Sequence, residues 1–229
     1  MIVSIIPARG GSIGIPRKNM HITAGIPLLG WTINQAIREK KIDKVYVTTD
    51  DNEIAQYAKS LGAEVVIRPE DISGSEASSE SAIKHALKII SKESAAEVDL
   101  IVFLQATSPL RMPNDLKDSI HFYYESNADS IFSSSIAEDL TLWQKNKNDN
   151  LNSINYDFKN RTIRQEAPTQ YIENGSIYIF TPEILKDYNN RLGGKIETFV
   201  MKSWQAHEID TIEDIELVEY YISKYMDSK

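Results

Sequence analysis

The sequence of 229 residues contains no cysteine, which excludes a disulfide framework, a thiolate nucleophile and a Cys-ligated zinc site. Only four histidines occur, and none has the spacing of metal ligands, which argues against a His-based zinc centre. No apolar run approaches the length that crosses a bilayer. The N-terminus also lacks the layout of a secretory leader, so the expectation is a cytoplasmic protein without a membrane partner. Positive charge is in deficit: 25 Lys+Arg against 33 Asp+Glu leave a net charge of −8. That balance argues against nonspecific nucleic-acid binding, which depends on a basic surface. Any polyanionic ligand must be held by a local cluster of cations. No internal repeat is present. What remains is a chain with 41% hydrophobic residues, enough to fill the core of one domain of 1–229, and too many for disorder.

One stretch supplies the cluster that the global charge denies. An apolar run from Met1 to Ile6 reads as a buried strand ending at Pro7. It feeds Ala8-Arg9-Gly10-Gly11-Ser12-Ile13-Gly14-Ile15-Pro16-Arg17-Lys18-Asn19. Glycines allow successive backbone N–H groups to face an anion at close range. Arg9, Arg17 and Lys18 are expected to surround the same hollow with positive charge. The loop ends without the Gly-Lys-Ser/Thr of a Walker A motif and does not carry GxGxxG. By pattern it is a phosphate-binding loop; the alternative is a glycine-rich turn with solvated cations.

The remaining pattern alternates strand and helix. Pro27 to Ile37 has helical apolar spacing, Lys44 to Thr49 is a β-branched strand, and Asn52 to Leu61 is a helix that Asp50 or Asp51 can cap. A short strand follows at Glu64 to Ile67, then a polar loop from Arg68 to Ser79 and a helix from about Glu80 to Ser91. Asp99 to Leu104 is the strongest strand, continuous enough for a central position, and it opens into Gln105-Ala106-Thr107-Ser108-Pro109-Leu110-Arg111. A helix over Asn114 to Ser126, strands at Ser130 to Ser134 and Ser176 to Phe180, and a closing helix over Thr211 to Tyr225 complete the series. This order predicts an α/β fold with a mostly parallel sheet wrapped by helices, and ligands at the carboxyl ends of its strands. Periodicity fades between Glu138 and Gln170, which reads as an inserted arm.

Near the end, Glu208-Ile209-Asp210 precedes the last helix. In extended backbone, residues two apart share a face, so both carboxylates project together while Ile209 turns to the core. Such a pair suits Mg²⁺ shared with substrate phosphates. The competing role is that Asp210 or Thr211 simply caps the helix. Glu213 and Asp214 read as first-turn acids. Taken alone, Gln105 would satisfy loop backbone, Arg164 would be a solvated charge, and Tyr178, between Ile177 and Ile179, would pack. The three tryptophans read as packing residues.

Ile-Pro-Ala-Arg-Gly-Gly-Ser with Gly-Ile-Pro-Arg-Lys-Asn resembles the N-terminal signature of the acylneuraminate cytidylyltransferases, the CMP-sialic acid synthetases. The resemblance runs in order through residues 5–19, 46–51, 103–111, 164–178 and 208–214. It implies a three-layer α/β/α, Rossmann-type domain of the nucleotide-diphospho-sugar-transferase kind, with a dimerisation arm at about 138–170 and a homodimeric assembly. It implies a Mg²⁺-dependent nucleotidyltransferase that joins CTP to N-acetylneuraminate or another nonulosonic acid and releases pyrophosphate. Ala8, Arg9, Gly10, Gly11, Ser12, Lys18, Asn19, Arg68 and Ser79 would then bind the nucleotide. Gln105, Arg164 and Tyr178 would face the sugar, and Asp210 with Glu208 would hold the metal; Arg9, Ser12, Lys18 and Asp210 would be catalytic. Two departures stand out: Ile13 replaces the family's usual Lys, and Glu208 replaces an Asp. The alternatives are a synthetase for legionaminic acid or 2-keto-3-deoxynonulosonic acid and, because of Ile13, an impaired CTP-binding relative. Asn174-Gly175 favours sialic or legionaminic acid over pseudaminic acid.

Overall fold

A computed structural model of the protein describes residues 1–12, 14–74, 77–137, 140–163 and 165–226. In chain order, β1 (Ile2–Pro7) runs through the loop to the small hairpin β2 (Ile22–Thr23) and β3 (Ile26–Pro27), then α1 (Leu28–Arg38). Next come β4 (Lys44–Thr49), α2 (Asn52–Ser60), β5 (Glu64–Ile67), α3 (Ser79–Glu93), β6 (Leu100–Leu104), α4 (Asp115–Ser126) and β7 (Ser130–Ile136). A second hairpin, β8 (Trp143–Lys145) and β9 (Leu151–Ser153), precedes β10 (Tyr171–Phe180), α5 (Pro182–Tyr188), β11 (Ile196–Val200) and α6 (Ile212–Tyr225).

Seven strands form one sheet in the order β11-β7-β10-β6-β1-β4-β5. All neighbours are parallel except β10, which runs against both β6 and β7. The centre is apolar on both faces, as parallel strands covered by helices require. On one face Ile6, Val47, Val102 and Ile179 pack with residues of α1, α2 and α4, including Ile33, Ile54 and Ile120. On the other, Val3, Ile5, Ile101 and Phe180 pack against Ile83, Ala86 and Ile90 of α3 and Ile184 and Leu185 of α5. This is the expected three-layer α/β/α arrangement. A third cluster seats α6, through Ile215, Val218 and Ile222, on Leu28, Leu110 and Ile209. Ile212, the first residue of α6, is exposed.

The sequence reading missed α5 and β11, as well as the four short strands of the two hairpins, β2–β3 and β8–β9. The strand expected to begin at Ser176 begins at Tyr171. It crosses an irregularity between Glu173 and Tyr178 where its register against β7 shifts. The bulge is held from β7: the buried Ser133 hydroxyl donates to Asn174 Oδ1 and accepts from the Ile177 N–H at 2.7 Å. Between β7 and β10 the chain makes its excursion, closed at the base by the Ala137 N–H donating to the Gln170 carbonyl at 2.9 Å. Trp143, on that excursion, meets Tyr156 edge-on and Phe158 at a tilt yet stays 43% exposed.

Candidate active site

A cavity of about 430 Å³ opens beyond the carboxyl ends of β1, β5 and β6. Arg9, Gly11, Ser12, Lys18, Asn19, Arg68, Ser79, Gln105, Glu208 and Asp210 all line it. These residues span nearly the whole chain, and the parallel strands deliver them to one sheet edge.

The loop after β1 is fixed from inside. Asn19 is buried and donates from Nδ2 to the Arg9 carbonyl at 2.9 Å, which ties the loop's end to its beginning. Ala8 donates to the Thr48 carbonyl at 3.0 Å, in continuation of the β1–β4 ladder, and is buried outside the cavity lining. Gly10 gives its N–H to Asp50 Oδ1 at 3.0 Å, so this amide is already engaged. Arg9 lines the cavity and reaches the Gly74 carbonyl only at a long 3.4 Å. Arg68 is buried beneath, donating to the Thr48 carbonyl at 3.2 Å, and its Nε has no partner among the described residues. Burial pulls the Arg68 pKa down and Arg9 adds to the effect, while Asp50 opposes it.

Arg17 corrects an expectation. It does not surround the hollow: in left-handed backbone (φ 52°), its guanidinium turns to Asp51, at 3.0 and 3.1 Å, and to Glu53 at 2.7 Å. Two carboxylates at the start of α2 outcompete the cavity for it. Ile13 and Arg164 lie outside the described residues.

The carboxylate segment is arranged as its alternation demands. Ile209 is fully buried, and Glu208 and Asp210 face the cavity. The Ile209 N–H donates to the Thr107 carbonyl at 2.9 Å, binding this segment to the loop after β6. Capping falls to Thr211: its hydroxyl accepts from the Asp214 N–H, while Asp214 Oδ2 accepts from the Asp210 and Thr211 N–H groups at 2.9 and 2.7 Å. Asp210's own side chain is thereby left free, 73% exposed, and pairs with Lys18 Nζ at 2.8 Å. Lys18 also donates to the Ile209 carbonyl at 2.9 Å. Glu208 is deeper, accepting from Gln105 Nε2 at 3.2 Å and, at a long 3.5 Å, from Thr107 Oγ1. Burial, then repulsion from Asp210, raises the Glu208 pKa. A divalent cation between the two carboxylates would relieve both effects, so this donor set fits a hard metal ion with substrate oxygens completing the sphere. Among the described residues no set of three or more His, Asp and Glu side chains is gathered for a metal.

Two glycines are required by contact here. A Cβ on Gly14 would lie 2.5 Å from the Asp210 carbonyl oxygen, so the first loop presses directly on the carboxylate segment. Gly175, at φ +66° on the β10 bulge, would place a Cβ 2.0 Å from Glu208 Oε1. A side chain there would have to displace Glu208 and hold strained left-handed backbone. Tyr178, by contrast, is buried and outside the cavity lining; its hydroxyl donates to Glu173, and burial raises its pKa.

Three residues missed in the sequence complete the picture. Thr107 faces Glu208 as described. Arg111 is wholly buried and donates to Thr32, Gln35 and the carbonyls of Gln105 and Ser176. It fixes the loop carrying Gln105 from below, and burial pulls its pKa down to about 9. Arg191, between α5 and β11, lines the cavity beside Phe103. Nothing in its local pattern, Asn190-Arg191-Leu192-Gly193, marks it.

A family profile described as cytidylyltransferase matches residues 3–224. The chain belongs to the cytidylyltransferase family. It is 33% identical over 227 residues to the N-acylneuraminate cytidylyltransferase of Oncorhynchus mykiss, a match covering 98% of this chain and 51% of that one. It is 29% identical to the pseudaminic acid cytidylyltransferase of Campylobacter jejuni subsp. jejuni serotype O:23/36 (strain 81-176), covering 94% and 93% respectively. The chain thus spans about half the length of the N-acylneuraminate relatives it matches. In fold it is similar to a solved CMP:2-keto-3-deoxy-manno-octonic acid synthetase complexed with CTP, at TM-score 0.72, 18% identity and coverage of 97% and 98%.

Proposed function

We propose that this family member transfers a cytidylyl group from CTP to a nonulosonic acid, N-acetylneuraminate or a close relative, giving a CMP-sugar and pyrophosphate. The observation that carries the reading is convergence: Arg9, Lys18 and Arg68 share one cavity with the paired Glu208 and Asp210. A nucleoside triphosphate needs the cations of the first set, and a metal–phosphate complex needs the carboxylates of the second, beside which Lys18 sits. The acceptor's anomeric hydroxyl attacks the α-phosphorus, an oxygen–phosphorus bond forms, the α–β anhydride bond breaks and pyrophosphate leaves with its electron pair. Such a reaction asks for positioning and charge stabilisation rather than covalent chemistry from the protein.

Each residue then has a task. Arg9 and Ser12 take triphosphate oxygens, with the N–H of Gly11 beside them, and Asn19 keeps that loop in shape. Arg68 and Ser79 hold the nucleoside end. Gln105 orients both the acceptor and Glu208. Glu208 and Asp210 would hold Mg²⁺, which supplies charge neutralisation at the phosphates. Lys18 keeps Asp210 turned into the cavity. Tyr178, behind the lining, acts through its neighbours, and Arg164 is assigned to the sugar carboxylate on the sequence resemblance alone. CTP-dependent pyrophosphate release across a panel of keto-acid sugars tests the reading; release with none of them would overturn it. The same panel separates N-acetylneuraminate from legionaminic, pseudaminic and 2-keto-3-deoxynonulosonic acids.

The reading includes a homodimer built on the 138–170 excursion. Leu142, Trp143, Leu151, Ile154 and Phe158 stand exposed there within some seventeen residues of each other, a density of uncovered apolar groups that favours a partner surface. A cytoplasmic location belongs to the same reading, supported by the absence among the described residues of any helix long and apolar enough to cross a membrane.

A further inference from the structure

Arg191 is the one cavity-lining arginine without a task in that scheme. Its position in the sheet order is the first clue. Arg9 follows β1 and Arg68 follows β5, whereas Arg191 lies over Phe103 of β6 and Tyr178 of β10, with its guanidinium carbon 4.9 and 4.4 Å from the two ring centroids. It therefore stands across β6 from the two arginines assigned to the nucleotide. Its second feature is rigidity. Arg191 Nε meets Glu80 at 3.3 Å, and both side chains are about one-fifth exposed. The loop carrying it is pinned by buried Ser130, whose hydroxyl accepts from the Gly193 N–H at 3.0 Å and donates to the Gly193 carbonyl at 2.8 Å. Lys84 holds the same loop through Asn189.

Third, the fork is incompletely used. Nη1 is enclosed and has no partner among the described residues, although a buried donor left unpaired is costly. A planar cation set over two rings, anchored through Nε and lining the cavity, is placed to meet an oxygen there with the part of its fork that the protein leaves accessible.

We infer that Arg191 recognises the acceptor rather than CTP, donating to an oxygen that bears full or partial negative charge, either the carboxylate or an acyl carbonyl of the sugar acid. The inference rests on the proposed reaction. Tyr178 gains a role from it: its ring, held by the bond to Glu173, is the platform on which Arg191 is set.

Steady-state kinetics of Arg191→Met and Arg191→Lys test it, with CTP and two acceptors of one skeleton, one acylamino-substituted and one carrying hydroxyl in that place. Arg191→Met should raise the acceptor KM about tenfold or more, with the CTP KM changed less than about twofold. Arg191→Lys, which keeps charge but loses the fork, should recover only part. A rise confined to the acylamino acceptor identifies the acyl carbonyl; an equal rise for both identifies the carboxylate. An unchanged acceptor KM, or an equal rise for CTP, overturns the inference. Failure of the reaction reading is distinct: the unsubstituted chain would release no pyrophosphate with either acceptor. Acceptor titration by calorimetry then decides, since an Arg191→Met dissociation constant equal to that of the unsubstituted chain also overturns the assignment.

Discussion

The two sides of the cavity are built by opposite means. On the β1 side a loop of glycines and small residues leaves its functional groups open: Arg9 makes one long hydrogen bond, and Ser12 lines the space without a protein partner among the described residues. On the β6–β10 side almost every polar group is already engaged, Glu208 by Gln105 and Thr107, the Gln105 carbonyl by Arg111, and Arg191 by Glu80 and two rings. A flexible polyphosphate can be gathered by an open, charged loop, whereas a sugar with many similar hydroxyls is told apart by groups that cannot move. Stored preorganisation lowers the cost of ordering at the moment of binding.

The contrast can be broken most severely where the sides meet. Asp210→Ala removes the exposed half of the carboxylate pair and the partner of Lys18. Turnover should fall by at least about a thousandfold, comparable to loss of a principal electrostatic stabiliser, while circular dichroism stays native. Near-normal Mg²⁺-dependent activity would remove this pair from metal binding. Gly175→Ala attacks the rigid side. The added methyl meets Glu208 and demands left-handed backbone of alanine, so kcat should drop about a hundredfold or more with a clear loss of thermal stability. An unaffected variant would show that the bulge does not position Glu208.

The open side should respond more gently and in the other direction. Arg17 is occupied by Asp51 and Glu53 and is not available to replace the loop lysine that the sequence resemblance leads one to expect at position 13. Ile13→Lys should therefore raise kcat about tenfold, and Arg17→Ala should change it less than about threefold. No gain from lysine with a large loss at Arg17 would reverse both statements.

The smallest expected effect is on acid stability. Arg17 holds the Asp51 carboxyl below its ordinary value near 3.8. A depressed folded-state pKa stabilises above the unfolded value, and that contribution is lost as pH falls through the folded one. The unsubstituted chain should lose melting temperature more steeply than Arg17→Met between about pH 5 and about pH 3. Parallel curves would show that the pair contributes nothing measurable, as exposed pairs often do.

Much of this was legible in the residues. β4 and β5 fall on their expected bounds, and Asp51 caps α2 by accepting from Ile54. The alternation at 208–210 anticipated both its faces, because side-chain period two is a property of extended backbone and needs no partner to be read. α5 and β11 were missed because they are short and only partly apolar, taking their stability from α3 and β7. The start of β10 was hidden by its bulge, where Asn174-Gly175 reads as a turn and the serine that secures it lies forty residues away on β7. Arg17 and Arg191 illustrate the same limit. A lone arginine's meaning lies in which distant carboxylate or ring it finds, and local pattern carries no record of that.

The Lys18–Asp210 pair joins residues 192 positions apart. During synthesis at about 5–20 residues per second, some 10–40 s separate the appearance of the first partner from the second. Through that interval the glycine loop and the strands that follow it exist, but the carboxylate pair that completes the pocket does not. On the proposed reading, no nascent chain that stops short of Asp210 carries the carboxylate pair, however complete its first loop.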